Sequence, residues 1–469
     1  MDGLVTVVIT LAVFLFTSSF IVDADRRIQG CNNIDDLQQN ASSFTDFCFC
    51  KTNVESSTVA LFCTYGSDSN QLGRALDAIN SSDFSLTQIS INHLRWDDSQ
   101  LSKEMAQKMG SDLQEMIVGQ CGAHGISIEK NAFDHLSETL TTLSIYDCGL
   151  KAIPSAVHSL KAIKKLSFPD NLITTINAGP LVNKNTLIYL NLEGNFINGA
   201  DKDAFKGLDS LQTLLIGEHN FANETVWNEI RKLKGLQILD MTKMDGIANI
   251  TKKQFESNEN FFGLQNLKQL DLRLNLIETI ANKSFNDAEK LERLSLEGNY
   301  LKVINSSMWN GLRSLEILDL GWNEINNLTE SAFIPLGNSL KLLKLSNNAR
   351  LTRIDEKAFE GLKELRELNI SSCRVRELEA TLLHPLKSME TLDLSHNELL
   401  NIDSKVFERQ STSLKVLKLN DNLLRTIDAS FLENLENLEI IDLSMNPWIC
   451  DKKIYPRENT PPSVILLLF

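Results

Sequence analysis

Residues 315–323 read Leu315-Glu-Ile-Leu318-Asp-Leu320-Gly-Trp322-Asn323. The same spacing returns at Leu187 to Asn195, Leu291 to Asn299, Met389 to Asn397 and Leu414 to Asn422. Marking the second apolar residue of each copy gives Ile89, Met116, Leu143, Leu166, Leu190, Leu214, Leu239, Leu270, Leu294, Leu318, Leu343, Leu368, Leu392, Leu417 and Ile441, fifteen copies in all. From Leu143 onward the markers stand 23 to 25 residues apart, except for 31 between Leu239 and Leu270. A period of that length over most of a 469-residue chain points to one array instead of several separate globular domains.

The physics of the template is direct. In L-x-L the two apolar side chains point into the array and the residue between them points out, because strand side chains alternate. One unit cannot bury its own leucines, so it must stack on its neighbours. The Asn that follows turns inward, where its amide can satisfy backbone groups of the turn. A second apolar spine, Phe133, Phe205, Phe285, Trp309, Phe333, Phe359, Phe407 and Phe431, falls in the return segments, which are too short for long helices. This is the leucine-rich-repeat signature. It predicts an α/β-repeat solenoid with a curved parallel sheet on the concave face, short irregular or 3-10 segments on the convex side, and about fifteen repeats over 86–448.

The inward Asn position is Asn in nine copies, Cys at Cys121, Cys148 and Cys373, and Leu94, His219 or Met244 in the others. A thiol is small and a weak donor, so buried free thiols are the expectation at the three cysteines. Cys121 and Cys148 also occupy stacked positions, which leaves a disulfide between them as the alternative.

The ends define the compartment. Leu4 to Phe16 is an uncharged apolar run, and Val22-Asp23-Ala24 offers small residues before a cleavage point, so residues 1–24 read as a signal peptide, although no Lys or Arg precedes the run. An uncleaved signal anchor is the competing reading. Cys31, Cys48, Cys50 and Cys63 follow at once and imply a disulfide-stapled module over 31–63, with three connectivities open. The sequons at Asn40, Asn80, Asn223, Asn249, Asn282, Asn305, Asn327 and Asn369 are compatible with secretion, but occur about as often as chance predicts. Ser463 to Phe469 is too short to span a bilayer, so no membrane anchor is expected after signal cleavage.

The module Cys31 to Cys63 resembles the N-terminal cysteine cap of extracellular leucine-rich-repeat proteins. That resemblance implies the pairs Cys31–Cys50 and Cys48–Cys63. Asn446-Pro-Trp-Ile-Cys450-Asp resembles the opening of the family's C-terminal cap, but Lys452 replaces its second cysteine, so 446–469 reads as a degenerate or truncated cap. Cys450 is then a thiol able to link two chains. The cap and first repeats, Cys48-Phe-Cys50, Val59 to Cys63 and Gly119-Gln-Cys121-Gly122, are similar to arthropod proteins named after the non-catalytic subunit of the Oplophorus luciferase. That narrower resemblance implies an accessory subunit of a secreted enzyme, and no catalysis of its own.

A search for chemistry returns little. No metal, cofactor or small-molecule motif occurs, and a formal charge of −15 argues against a nucleic-acid partner. Asp393, Ser395 and His396 are a Ser–His–Asp set in name, but neighbours on one strand do not orient a relay. A protein partner on the concave face is the functional expectation, through Asp271, Arg273, Asp319, Trp322, Lys344, Asp393, His396 and Lys418. Five Asp at the middle of L-x-L form a candidate acidic stripe, which could equally be the repeat's default residue. The extra residues within 249–265 are a candidate functional insertion or a tolerated loop.

The register carries a first test. Leu318→Ala empties a core site and is expected to cost about 2–5 kcal/mol, whereas Asp319→Ala removes only a surface carboxylate. Equal shifts in the thermal midpoint would refute the register.

Overall fold

The computed structural model describes residues 32–33, 48–64, 68–218 apart from 95, 97–98 and 124, 224–244, 265–427 apart from 283, 435–449 and 465–467. Fifteen parallel strands, from Ser85–Asn92 to Ile440–Asp442, run side by side in one sheet. Every marker residue pairs with the next. Ile89 lies opposite Met116, Leu294 opposite Leu318, Leu318 opposite Leu343, and Leu417 opposite Ile441. Most strands are three residues long with the middle residue buried, as L-x-L alternation requires. The convex side returns through 3-10 turns such as Ser306–Trp309 and Ile334–Leu336. Its aromatic spine is stacked: Trp309, Phe333 and Phe359 lie with ring centroids 6.2 and 6.3 Å apart, all buried.

The N-terminal end is covered as expected. Cys48–Asn53 and Thr58–Cys63 form an antiparallel hairpin, closed by the Cys48–Cys63 disulfide, and its second strand runs parallel to Ser85–Asn92. Cys50 is also disulfide-bonded. Its expected partner Cys31 lies outside the described residues, beside Asn32–Asn33, whose backbone pairs with Phe49 and Cys50. Helix Ser69–Asn80 starts on a capping box in which Asp68 accepts the Gln71 N–H and Gln71 accepts the Asp68 N–H. It buries Leu72, Leu76 and Ile79, at i, i+4 and i+7, against the first strands.

The Asn ladder holds the stack together. Asn299 Oδ1 accepts the N–H of Ile277 in the preceding repeat at 3.1 Å. Its Nδ2 donates to the Leu272 carbonyl of that repeat at 2.9 Å and to its own Leu296 carbonyl at 2.8 Å. The pattern recurs at Asn195, Asn323, Asn397 and Asn422. Backbone groups at the turn cannot reach each other directly, so one buried amide closes them across the repeat boundary.

Two ladder cysteines differ from expectation. Cys121 and Cys148 are joined in a disulfide, with Cα atoms 4.6 Å apart. Stacked ladder positions in adjacent repeats lie within disulfide reach, and here the covalent bond takes the place of the amide bridge. Only Cys373 is a thiol among the described residues. Its Sγ donates to the Leu345 carbonyl at 3.4 Å, but a thiol offers no strong acceptor for an N–H. The preceding repeat compensates. It carries one extra residue, Asn348-Ala-Arg-Leu351, and the Leu351 N–H donates to the Asn348 carbonyl instead.

At the C-terminal end, Trp448 Nε1 donates to the Leu443 carbonyl at 3.0 Å, and Cys450 lies outside the described residues. Ile465–Leu467 adds one further parallel strand, with Leu466 opposite Ile441. The apolar tail thus supplies another rung, a role that the bilayer-length argument did not foresee. The leader 1–24 also lies outside the described residues, and no described helix is long and apolar enough to cross a membrane.

The ladder predicts unequal costs. Asn299→Ala strands a buried N–H and carbonyls in two repeats and is expected to cost about 2–4 kcal/mol. Cys373→Ala leaves Leu351 satisfied and is expected to cost about 1 kcal/mol. Urea unfolding midpoints of the two variants check this, and equal shifts would contradict the bridging role.

Candidate partner-binding face

The turn after each strand sets the geometry of the face. In all fifteen repeats the residue just before the ladder position has a left-handed φ, from 49° at Asp147 to 69° at Gly298. Only two of these positions are glycine, Gly194 and Gly298; Trp322 holds φ 52° and His396 φ 56°. Such a backbone costs a non-glycine residue about 1–2 kcal/mol, which the stack must over-determine. The preceding Asp helps. Asp240, Asp271, Asp319, Asp393 and Asp442 each accept the backbone N–H two residues on, from Thr242, Arg273, Gly321, Ser395 and Ser444 at 2.9–3.0 Å. All five residues of the candidate acidic stripe are therefore turn caps, the physical reason Asp is the default there. Asp319→Ala consequently loses a cap, worth about 1 kcal/mol, still well below the Leu318 cost.

The expected partner-binding residues lie along this face, and most hold one another. Arg273 pairs with Asp271 at 2.8 Å, Lys344 with Asp319 at 3.3 Å, and Lys418 with Asp393 at 3.3 Å. His396 Nδ1 lies 2.6 Å from Asp421 Oδ2, whereas Ser395 Oγ donates to Asp393 Oδ1 at 2.6 Å. His396 is thus turned to a different carboxylate from the one holding Ser395, so the three do not assemble a relay. Partly exposed pairs of this kind contribute about 0–1 kcal/mol each. Trp322 stands apart. It is 61% exposed, while Trp96, Trp227 and Trp309 are buried and Trp448 is half-buried.

Among the sequons, Asn80, Asn282, Asn305 and Asn327 are exposed. Asn369 is half-buried on the inner face, its Oδ1 accepting from the N–H and Oγ of Ser371. Asn40, Asn223 and Asn249, with the insertion 249–264, lie outside the described residues.

Charge is uneven along the face. Burial raises the pKa of Glu193, and Asp240, Glu218, Asp170 and Asp271 add to it. Burial likewise raises Asp170, with Glu218 and Asp147 adding. Glu297 is raised by burial and then by Asp319, against the pull of Arg273 and Lys344. The repeats from Leu143 to Leu294 therefore present carboxylates that repel one another, while those beyond are balanced by Lys344 and Lys418.

Sequence reasoning missed two features here, the exposed apolar residues beside the ladder and buried Lys184. The residue on the far side of the ladder Asn is an exposed apolar group at Leu172, Phe196, Leu276 and Tyr300, a pattern readable only once that register position is known to face out. Cys373 is the buried free thiol that the sequence predicts, pushed up to about 11 by burial, so it is a packing group. Buried Lys184 is pulled down to about 8 by desolvation; its Nζ donates to the carbonyls of His158 and Leu160 at the end of the 3-10 turn Ser155–Ser159. Gln410, at the same position of a later repeat, caps Leu383 and Leu386 in the same way.

The comparisons agree with this architecture. A family model for the leucine-rich repeat matches residues 254–301, 289–338, 337–375 and 387–447. A BspA-type leucine-rich-repeat model matches residues 121–234. Together they cover more than half of the chain, which belongs to the leucine-rich-repeat proteins. More particularly, it is 44% identical over 70 residues to human (Homo sapiens) leucine-rich repeat-containing protein 4C, 15% of this chain and 11% of that protein. It is 31% identical over 115 residues to Tsukushi of Gallus gallus, 24% of this chain and 28% of that protein. The chain thus spans only a small part of either relative. Among solved structures, a leucine-rich-repeat protein of Leptospira interrogans superposes with TM-score 0.55 at 22% identity, covering 78% of this chain and 92% of that one. Toll, in the Drosophila Toll–Spatzle complex, gives TM-score 0.61 at 14% identity, covering 90% of this chain and 73% of that one. Both likenesses establish the fold.

Lys184 supplies a pH test. Its folded pKa of about 8 lies below the ordinary lysine value, so between the two the unfolded chain binds the extra proton. Stability is therefore expected to rise with pH above about 8. Lys184→Gln, copying Gln410, is expected to raise the urea midpoint at neutral pH, with an advantage that fades as pH approaches the free lysine pKa. A pH-independent difference would contradict the assignment.

Proposed function

We propose that the chain is an extracellular, non-enzymatic scaffold that binds a protein partner on the concave face of its solenoid, around Trp322. The observation that carries this reading is Trp322 itself: a large aromatic, 61% exposed, in a left-handed conformation that glycine would adopt more cheaply. Around it the face offers Asp271, Arg273, Asp319, Lys344, Asp393, His396 and Lys418, mixed charge beside one aromatic anchor, which suits a protein surface. The disulfides Cys48–Cys63 and Cys121–Cys148 support an oxidising compartment. Signal cleavage at Ala24 and glycosylation at the exposed sequons belong to the same reading.

Affinity capture from the native secretion, followed by mass spectrometry and titration of the recovered partner, tests it. Trp322→Gly keeps the backbone conformation and is expected to weaken binding at least about tenfold. A change within about twofold, or full glycan occupancy at Asn369 inside the hollow, would remove the site from this surface. Recovery of one stoichiometric enzyme would favour an accessory subunit, the role implied by the resemblance of cap and first repeats to the Oplophorus luciferase subunit family.

A further inference from the structure

The rim where the strands end carries a patch of which the concave-face reading uses only Trp322. In the three consecutive repeats centred on Asn275, Asn299 and Asn323, the residues flanking the ladder are Leu274, Leu276, Gly298, Tyr300, Trp322 and Glu324, of which Leu274, Leu276, Tyr300 and Trp322 are exposed by 57, 41, 45 and 61%. Leu274 lies over Gly298, where a Cβ would sit 2.6 Å from its Cδ2, and Trp322 follows in the next repeat. The four side chains therefore stand at neighbouring register positions, with Gly298 between Leu274 and Trp322 in the stack.

What sets this patch apart is that Leu274 and Leu276 flank one ladder Asn, with Tyr300 and Trp322 in the next two repeats. After the ladder, Glu324 and Glu398 are charged and partnered, whereas Leu172, Phe196 and Leu423 are exposed apolar residues as well. Glu324 pairs with Arg350 at 3.2 Å and Lys302 at 3.8 Å, and Glu398 pairs with Arg376 at 2.8 Å. Those side chains keep the rim wet and self-satisfied. Apolar groups at the same register gain nothing from exposure, and a contiguous apolar patch with a polar border marks an interaction surface.

The border selects the occupant. Asp240 and Glu297 stand beside the patch, and neither has a Lys or Arg ion-pair partner among the described residues. Arg273, the nearest cation, is held by Asp271. We propose that this rim docks a segment of a protein partner in which lysine or arginine alternates with apolar side chains, the apolar groups entering beside Gly298 and the cations meeting Asp240 and Glu297. The carboxylate border would repel the phosphates of a nucleic acid. The inference rests on the protein-binding reading and deepens it by naming the partner's chemistry and the rim as its seat.

Trp322, the one exposed tryptophan among the described residues, reports the encounter. The full chain is titrated with a short lysine/leucine peptide, its lysine/serine counterpart and its glutamate/leucine counterpart, following tryptophan emission. The lysine/leucine peptide is expected to shift the emission to the blue and to bind at least about tenfold tighter than either counterpart. Its affinity is expected to fall with added salt. Asp240→Asn with Glu297→Gln keeps the turn cap and removes only charge; Leu276→Ser with Tyr300→Ser removes only apolar surface. Each pair is expected to weaken binding about tenfold with an unchanged unfolding midpoint. Equal binding of the lysine/leucine and lysine/serine peptides, or indifference to both variant pairs, would overturn the inference. If the captured native partner loses affinity on Trp322→Gly but ignores both variant pairs, the rim inference fails while the scaffold reading stands. If no extracellular protein is captured, the scaffold reading fails whatever the peptides do.

Discussion

A buried asparagine amide that closes backbone groups across a repeat boundary governs most of what this chain can do. Because Asn299 must reach Ile277 and Leu272 in the repeat before it, each turn is forced into one shape. That shape includes a left-handed residue immediately before the ladder position, present in all fifteen repeats, the six without an Asn among them. The Asp caps follow from the same demand, since a short carboxylate can hold the N–H that the turn turns away from the sheet. At the three ladder cysteines, where the amide is missing, the chain compensates locally: a disulfide joins Cys121 to Cys148, and an extra residue before Cys373 redirects the Leu351 N–H.

Much of this was legible from residue spacing. The fifteen markers pair one to one because a period-two strand tolerates no slip when one face is buried. The cap cysteines were legible for the same kind of reason, four thiols following at once on an apolar leader. The Cys121–Cys148 bond was not, because thiol and disulfide fit the ladder equally well until the distance between stacked positions is known. Nor was the role of the Asp stripe, since a side chain folded back on its own turn and one aimed at a partner read alike in sequence. The strand Ile465–Leu467 was hidden because it lacks the rest of the template.

The face proposed for recognition is what remains after these demands are met. Ion pairs between adjacent repeats occupy Lys344 and Lys418, and turn caps occupy the Asp residues. Trp322, Leu274, Leu276 and Tyr300 are exposed and their side chains take no part in the amide ladder, the turn caps or the ion pairs, which is why the proposed site is placed on them. The legibility of the candidate site was accordingly partial. Trp322 stood out as a departure from the template, whereas the rim residues could be recognised as exposed only from the position of the turn.

Native-state hydrogen exchange on the Asn299→Ala variant tests the central claim most directly. If the amide bridge couples repeats, protection of the amides from Leu272 to Leu301 is expected to fall together, on both sides of the boundary and including Ile277. Loss confined to the substituted turn, with Ile277 as protected as in the unmodified chain, would contradict it.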